Sequence, residues 1–385
     1  MSKNKKRKIC FIITSKNHYG RSKLILKEIK RRNDAVLQIV VGASALLPNY
    51  GDVLSLFKKD GFNHDFKIAM AFEGGNSLAM AKTAGIGTTE FATAFNNLEP
   101  DIVVLRGDRY EILSAAIAAA YSNIPIAHIE GGDVTGNIDE SVRHAVTKLA
   151  HLHFATNKES KDRIIRMGED PNYVFNFGCP ELEFVAKSKC KVSDKFIDRW
   201  GVGRVVDINK PYLMVIQHPV TSEIEKNRAN ITKTLQAVHE LKIPTIWFWP
   251  NIDAGTDEIS KGIRIFREHN NPDIYFIKNL PPEEFIGLLK NSLCLVGNSS
   301  AGIKECSYLG VPVVNIGSRQ DGRMRAENVV DADNDKNSIK LAIERQIKRK
   351  RYKSSNIYFQ KDTSKKIAQV LAGAKLYTQK KFYDV

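Results

Sequence analysis

Short apolar runs alternate with amphipathic segments along almost the whole chain. No other feature restricts the fold as much. A strand, a helix and a further strand in succession close a right-handed crossover, and repeating that unit builds a parallel sheet covered by helices. The runs Lys8–Thr14, Ala35–Val41, Asp101–Leu105, Ile124–Ile129, Leu152–Ala155 and Tyr173–Phe177 predict buried strands. Between them, Ser22–Arg32, Tyr110–Tyr121, Glu140–Ala150 and Lys158–Met167 show helical spacing. Around Lys187–Lys210 the pattern becomes irregular and charged, which predicts a linker. A second series follows, with strands at Tyr212–Gln217, Thr245–Trp249, Ile274–Ile277, Leu293–Val296 and Val311–Asn315. Its helices are Glu223–Leu241, Asp257–His269, Pro282–Asn291, Ala301–Tyr308 and Asn337–Lys348. Pro282 suits a first helical turn, and the acids Glu283 and Glu284 behind it suit the positive dipole end.

At 385 residues the chain exceeds what one hydrophobic core organises. The expected architecture is α/β, with two Rossmann-like, doubly wound domains facing each other across a cleft. The first spans 1–190 and the second 191–362, and the last helical stretch, within 363–380, packs back on the first.

Composition narrows the partners. Hydrophobic content of 43% and charged content of 26% are ordinary for a globular protein. Much of the net charge of +15 sits in Lys3–Arg7, in Lys348–Arg351 and at Lys380 and Lys381. No interleaving of aromatic and basic residues and no helix-turn-helix pattern accompanies it, so nucleic acid is not an expected partner. Solvated charge that steers an anionic substrate is. The basic start runs into about six apolar residues, too few for a signal-peptide core or a membrane span. That predicts a cytoplasmic protein with no membrane partner. Cys10, Cys179, Cys190, Cys294 and Cys306 form no CxxC pair and no zinc spacing, and read as buried, reduced thiols.

In open parallel sheets, ligands bind outside the carboxyl ends of the strands, and that rule selects the candidate residues. Asp108 follows the run ending Leu105-Arg106-Gly107, and Glu130 follows His128-Ile129. Asp139 starts the next helix. In the second series Gln217-His218-Pro219, Pro250-Asn251-Ile252-Asp253 and Gly297-Asn298-Ser299-Ser300-Ala301-Gly302 end three strands. The last of these turns into a helix, aiming free N–H groups at one spot suited to a phosphate. Arg319, Arg323 and Arg325 follow a further strand and suit a phosphate clamp. Each also has a plainer reading: Asp139 as an N-cap, Asp108 as a turn former, His218 as the partner of a loop carbonyl, Ser299 and Ser300 as caps, and the arginines as a solvated loop. Their common placement at strand ends carries the chemical reading, acid–base work on a phosphorylated ligand.

Arg106-Gly107-Asp108-Arg109, His128-Ile129-Glu130-Gly131-Gly132, Asn137 through His151, Gln217-His218-Pro219-Val220-Thr221, Pro250 through Gly255, Gly297-Asn298-Ser299-Ser300 and Arg319 through Arg323 together resemble the hydrolysing UDP-N-acetylglucosamine 2-epimerases. The likeness is to the sialic-acid pathway branch, which includes the epimerase half of the animal bifunctional enzyme. It runs in order from about residue 100 to about residue 330. The resemblance implies a glycosyltransferase-B-like fold and conversion of UDP-N-acetylglucosamine and water into N-acetylmannosamine and UDP. UDP would leave by anti elimination across C1–C2 to give a 2-acetamidoglucal, and hydration would then invert C2. That route needs no metal and no nicotinamide, and no cofactor is expected. The resemblance makes Asp108, Glu130 and Asp139 the catalytic acids and His218 the group that offsets charge on the leaving diphosphate. It places Ser299, Ser300 and Gly302 on phosphate, Glu305 on ribose hydroxyls and Phe285 against the uracil ring. Asn251, Arg319 and Arg323 become further contacts, and the family points to a homodimer or homotetramer. The start departs from the pattern. Where the family has an Arg-Ala-Asp-Tyr type segment, this chain has Lys16-Asn17-His18-Tyr19, with Gly20-Arg21 read as an insertion, and Gly42-Ala43-Ser44 stands where a histidine is common. Lys16 supplies an arginine's charge but not its two-pronged contact. The departures lie on the sugar and phosphate side, which leaves room for a UDP- or GDP-linked diacetamido sugar of the legionaminic-acid route.

Overall fold

The computed structural model describes residues 6–384 apart from 48–51, 73–75, 189–191, 193–200, 252, 271 and 279. Cys190, Ile252, the first residues of the basic start and much of the expected linker lie outside the described residues. The chain forms two units. One comprises Met1–Asp133, Ile138–Phe184 and Tyr358–Val385, the other Val134–Asn137 and Val185–Ile357.

The first unit is built on seven parallel strands: β1 (Arg7–Ile13), β2 (Ala35–Gly42), β3 (Phe66–Ile68), β4 (Ile102–Arg106), β5 (Ile126–Ile129), β6 (Leu152–Ala155) and β7 (Val174–Asn176). Their order is β3-β2-β1-β4-β5-β6-β7. Its helices are α1 (Lys16–Lys30), α2 (Val53–Asp60), α3 (Ser77–Leu98), α4 (Tyr110–Tyr121), α5 (Ile138–Leu149) and α6 (Lys158–Arg166). The chain then enters α7 (Pro180–Lys187), within which the boundary between the units falls. Helices cover both faces of the sheet, so both faces must be apolar. On β1, Ile9, Phe11 and Ile13 pack with Ile25 and Ile29 of α1, while Cys10 and Ile12 join Phe91 and Ile112 on the other side. Ile367, Ala368 and Leu371 of the last helix (Thr363–Gly373) belong to the first of these cores. α1 starts six residues before the expected Ser22. Ser15 caps it by accepting from the His18 N–H at 3.2 Å. The segment expected to carry an insertion, Lys16–Arg21, therefore lies in the first two turns of a continuous helix.

The second unit has β8 (Gly201–Gly203), β9 (Leu213–Ile216), β10 (Thr245–Phe248), β11 (Ile274–Ile277), β12 (Leu295–Gly297), β13 (Val313–Ile316) and β14 (Val329–Ala332). Their order is β14-β13-β12-β9-β10-β11-β8. β8 is antiparallel to β11 and lies in the stretch expected to be a linker. Its helices are α8 (Asn227–Glu240), α9 (Thr256–Asn270), α10 (Pro282–Asn291), α11 (Ser300–Ile303), α12 (Glu305–Leu309) and α13 (Lys336–Arg349). The last helix of the chain, in the first unit, is α14. The helix expected over Ala301–Tyr308 is two short pieces separated at Lys304, which itself stays in the right-handed α region.

Both sheets reverse their strand order, the first between β1 and β4, the second between β12 and β9. At such a reversal the connections run to opposite faces and leave a crevice at the strand ends. Topology thus singles out Thr14–His18 with Gly107-Asp108 in one unit, and Gln217-His218 with Asn298-Ser299 in the other. Among the described residues no helix is long and apolar enough to cross a membrane, and Cys10, Cys179, Cys294 and Cys306 are buried free thiols.

Candidate active site

In the first unit, β4 and β5 pair in register, Arg106 beside Ile129, so Asp108 and Glu130 leave neighbouring strands. Glu130 turns the chain with a φ of +71°, a left-handed conformation that non-glycine residues rarely hold. A methyl group built on Gly107 would lie 3.9 Å from Glu130 Oε2 and 4.0 Å from His18 Nε2, so the ends of β1, β4 and β5 converge there. Asp108 accepts from Arg143 Nη2, one turn along α5 from Asp139. Arg143 is 1% exposed, and its Nη1 donates to the Asp133 carbonyl at 2.7 Å. Burial pulls the Arg143 pKa down, but Asp108, Asp133 and Asp139 outweigh it and the net shift is upward. Asp139 sits within the first turn of α5 rather than capping it, which replaces the N-cap reading. Its charge there faces the helix dipole favourably.

Two buried imidazoles support this rim. His128 joins Gly107 and α5, with Nε2 2.9 Å from the Gly107 carbonyl and Nδ1 3.1 Å from Thr147 Oγ1. His18 Nδ1 lies 3.0 Å from Thr14 Oγ1. Burial first, and for His18 also Arg109 and Arg106, lowers their pKa values to about 4 for His128 and about 3 for His18. An imidazole held neutral by the fold leaves the unfolded chain binding more protons, so stability rises with pH. The contribution is complete above about pH 6.5 and is lost as the pH falls through these lowered values. Thermal unfolding between pH 7 and 4.5 should therefore show a falling Tm, with a smaller drop in His128→Asn. An equal drop in both proteins would refute this origin. Lys16 opens α1, half-buried, and burial lowers its pKa.

In the second unit Asn298 is the hub. Its Oδ1 accepts from the His218 N–H at 2.7 Å and its Nδ2 donates to the His218 carbonyl at 2.9 Å, locking the ends of β9 and β12 together. Its carbonyl accepts from Arg319 Nη1 at 3.2 Å and Gln320 Nε2 at 2.8 Å. Arg323 donates to Gln320 Oε1 at 2.9 Å. The Asn251 N–H donates to His218 Nδ1 at 3.3 Å, so in the neutral ring the proton sits on Nε2, leaving that nitrogen a donor. Ser299 accepts from the Ala301 N–H at 3.3 Å and caps the short helix that begins at Ser300. Gly302 packs against β13, where an added methyl would lie 2.8 Å from Val313 Cγ1. Glu305 is buried at the start of α12. Phe285 of α10 packs edge-on against Phe248 with ring centroids 5.6 Å apart and stays half-buried.

Sequence reasoning named Arg106, Arg143, His18, Asn298 and Gln320 only within quoted runs, without a role of their own, and did not name Glu181. Arg106 carried a usable signal, since an arginine closing an apolar strand must find acids if it is buried. Glu130, Cys179 and Glu181 place possible ligand atoms within 4.8 Å of one another. The Arg106 guanidinium, bonded to both carboxylates, is the cation at that place.

A family model described as UDP-N-acetylglucosamine 2-epimerase matches residues 27–372. A UDP-N,N'-diacetylbacillosamine 2-epimerase (hydrolyzing) of Legionella pneumophila is 35% identical over 373 residues, 97% of each chain. A GDP/UDP-N,N'-diacetylbacillosamine 2-epimerase (hydrolyzing) of Campylobacter jejuni is 29% identical over 332 residues, 85% of each. Among solved structures, the Methanocaldococcus jannaschii UDP-GlcNAc 2-epimerase in complex with UDP-GlcNAc and UDP superposes with a TM-score of 0.77. The likeness covers 94% of this chain and 99% of that one at 17% identity, and it speaks to the fold.

Proposed function

The chain belongs to the UDP-N-acetylglucosamine 2-epimerase family, and from that premise we propose that it releases UDP from a UDP-linked diacetamido sugar with inversion at C2. The observation that carries the choice of sugar is the 35% identity, over 97% of both chains, to a hydrolysing epimerase of UDP-N,N'-diacetylbacillosamine. The departures at Lys16, His18 and Gly42–Ser44 fit a sugar other than UDP-N-acetylglucosamine, the first expectation.

In this reading the acids of the first unit work on C1–C2 of the sugar. A carboxylate takes the C2 proton as the C1–O bond breaks, and the bond's electron pair leaves with UDP. Because no carbonyl acidifies that hydrogen, loss of the diphosphate must lead, and a carboxylate beside C1 stabilises the oxocarbenium-like centre. Water then adds its hydroxyl to C1 and a proton returns to C2 on the opposite face, giving the free 2-epimer. Lys16 contacts the sugar or phosphate side. His218 Nε2–H donates to the leaving diphosphate, supported by Ser299, Ser300, Arg319 and Arg323. Gly302 lets the backbone approach, Glu305 takes the ribose hydroxyls, and Asn251 and Phe285 complete the nucleotide contacts.

Incubation in D2O with UDP-N,N'-diacetylbacillosamine, its GDP analogue and UDP-N-acetylglucosamine tests the reading. The UDP-diacetamido sugar should give at least about tenfold higher kcat/KM than the others, a gap of about 1.4 kcal/mol in transition-state binding. Its product should carry one deuteron at C2. Preference for UDP-N-acetylglucosamine would restore the first expectation, and turnover that needs an acceptor other than water would point to a glycosyltransferase.

A further inference from the structure

Four charges alternate in a row that ends at Glu130. Arg106 is 0% exposed; its Nε donates to Glu130 Oε2 at 3.0 Å and its Nη2 to Glu181, at the start of α7. On the other oxygen of Glu181, Arg21 of α1 lies at 4.0 Å. Arg21, half-buried, extends the alternation of sign along the row Arg21, Glu181, Arg106, Glu130. One arm of Arg106 goes to each carboxylate, and Glu130 Oε1 is left facing the Cys179 thiol at 3.6 Å. Without Glu181, Arg106 would be free to grip Glu130 with both arms, as guanidinium–carboxylate pairs prefer. A Glu130 held that way would be a poorer base.

We propose that Arg106 and Glu181 are positioning residues. Arg106 fixes the direction and charge of the Glu130 carboxylate against its left-handed backbone, and Glu181 restrains Arg106 to a single arm. The inference rests on the reading of Glu130 as one of the working acids. Among the described residues, other charged or titratable groups around this spot include Asp108 and Arg109 beyond β4, His18 on α1, His128 on β5 and Cys179 before α7.

The test is kcat and KM against pH for full-length Arg106→Met, Arg106→Lys and Glu181→Gln, on whichever nucleotide sugar the wild type turns over. Arg106→Met should lower kcat roughly a hundredfold at pH 7 with little change in KM. It should also move the acidic limb of kcat up by about one unit or more, because two carboxylates then face each other without their cation. Arg106→Lys should recover part of the loss. Glu181→Gln should move the same limb down. Opposite displacements would support the proposal. Limbs that stay in place, or kcat and KM falling together, would overturn it. Should Arg106→Met fail to fold, the direction of the Glu181→Gln displacement decides alone. A second arm is independent of turnover: relative to wild type, the Tm of Arg106→Met should recover as the pH drops from 8 to 5.5, and a constant gap would overturn the proposal. A wild type inert on every nucleotide sugar would sink the functional reading and this inference with it, whereas turnover with unmoved limbs would sink this inference alone.

Discussion

Asp108→Asn is expected to bind UDP as the wild type does and to release nucleotide from the substrate at least about a thousandfold more slowly. Asparagine has nearly the same shape, so β4 and the turn into α4 are undisturbed. It has no negative charge, and it can neither accept the C2 proton nor stabilise positive charge at C1. Its amide also meets Arg143, a buried guanidinium already committed to the Asp133 carbonyl. The loss should fall on kcat, because Asp108 is not among the groups proposed for the diphosphate. Calorimetry with UDP and single-turnover release measure the two sides separately. Full turnover by the variant would remove Asp108 from the mechanism, and lost UDP affinity would contradict the assignment of the diphosphate to other residues.

The second large effect is on stability. Gly297 ends β12 with a φ of +128°, and a Cβ there would lie 2.1 Å from the Ile216 carbonyl oxygen. Gly297 pairs with Ile216 across β12 and β9, and this close approach lets Asn298 reach back to both backbone groups of His218. Gly297→Ala should therefore destabilise the second unit by at least about 3 kcal/mol, from backbone strain together with the steric clash. Differential scanning calorimetry should show a Tm lowered by several degrees, and the hub's loss should reduce activity even in the folded fraction. An unchanged Tm would mean that β9 and β12 can part without cost.

The strand–helix alternation was legible because each buried parallel strand is a short apolar run, and the core strands stand where those runs lie. What escaped were edges and exceptions. β14 is a half-exposed edge strand, and β8 pairs antiparallel in a stretch rich in charge. α3 carries apolar and small residues around much of its circumference, from Leu78 and Ala79 to Gly85, Ile86 and Gly87, so helical spacing does not stand out. The start of α1 was hidden by polar residues and Gly20, although Tyr19 and Ser22 are buried. In the site, residues that end strands could be found from the sequence alone. Their partners could not, since Glu181 reaches Arg106 across 75 positions and only the fold brings them together.

The first unit is assembled from both ends of the chain, because Ile367, Ala368 and Leu371 of α14 complete the core begun by β1. During synthesis, β1 through β7 emerge from the ribosome with one face of that core uncovered, and Val185–Ile357 of the second unit are made before α14. The second unit can reach its native state first. The acid-bearing unit must wait, its apolar surface in need of protection, until α14 has been made.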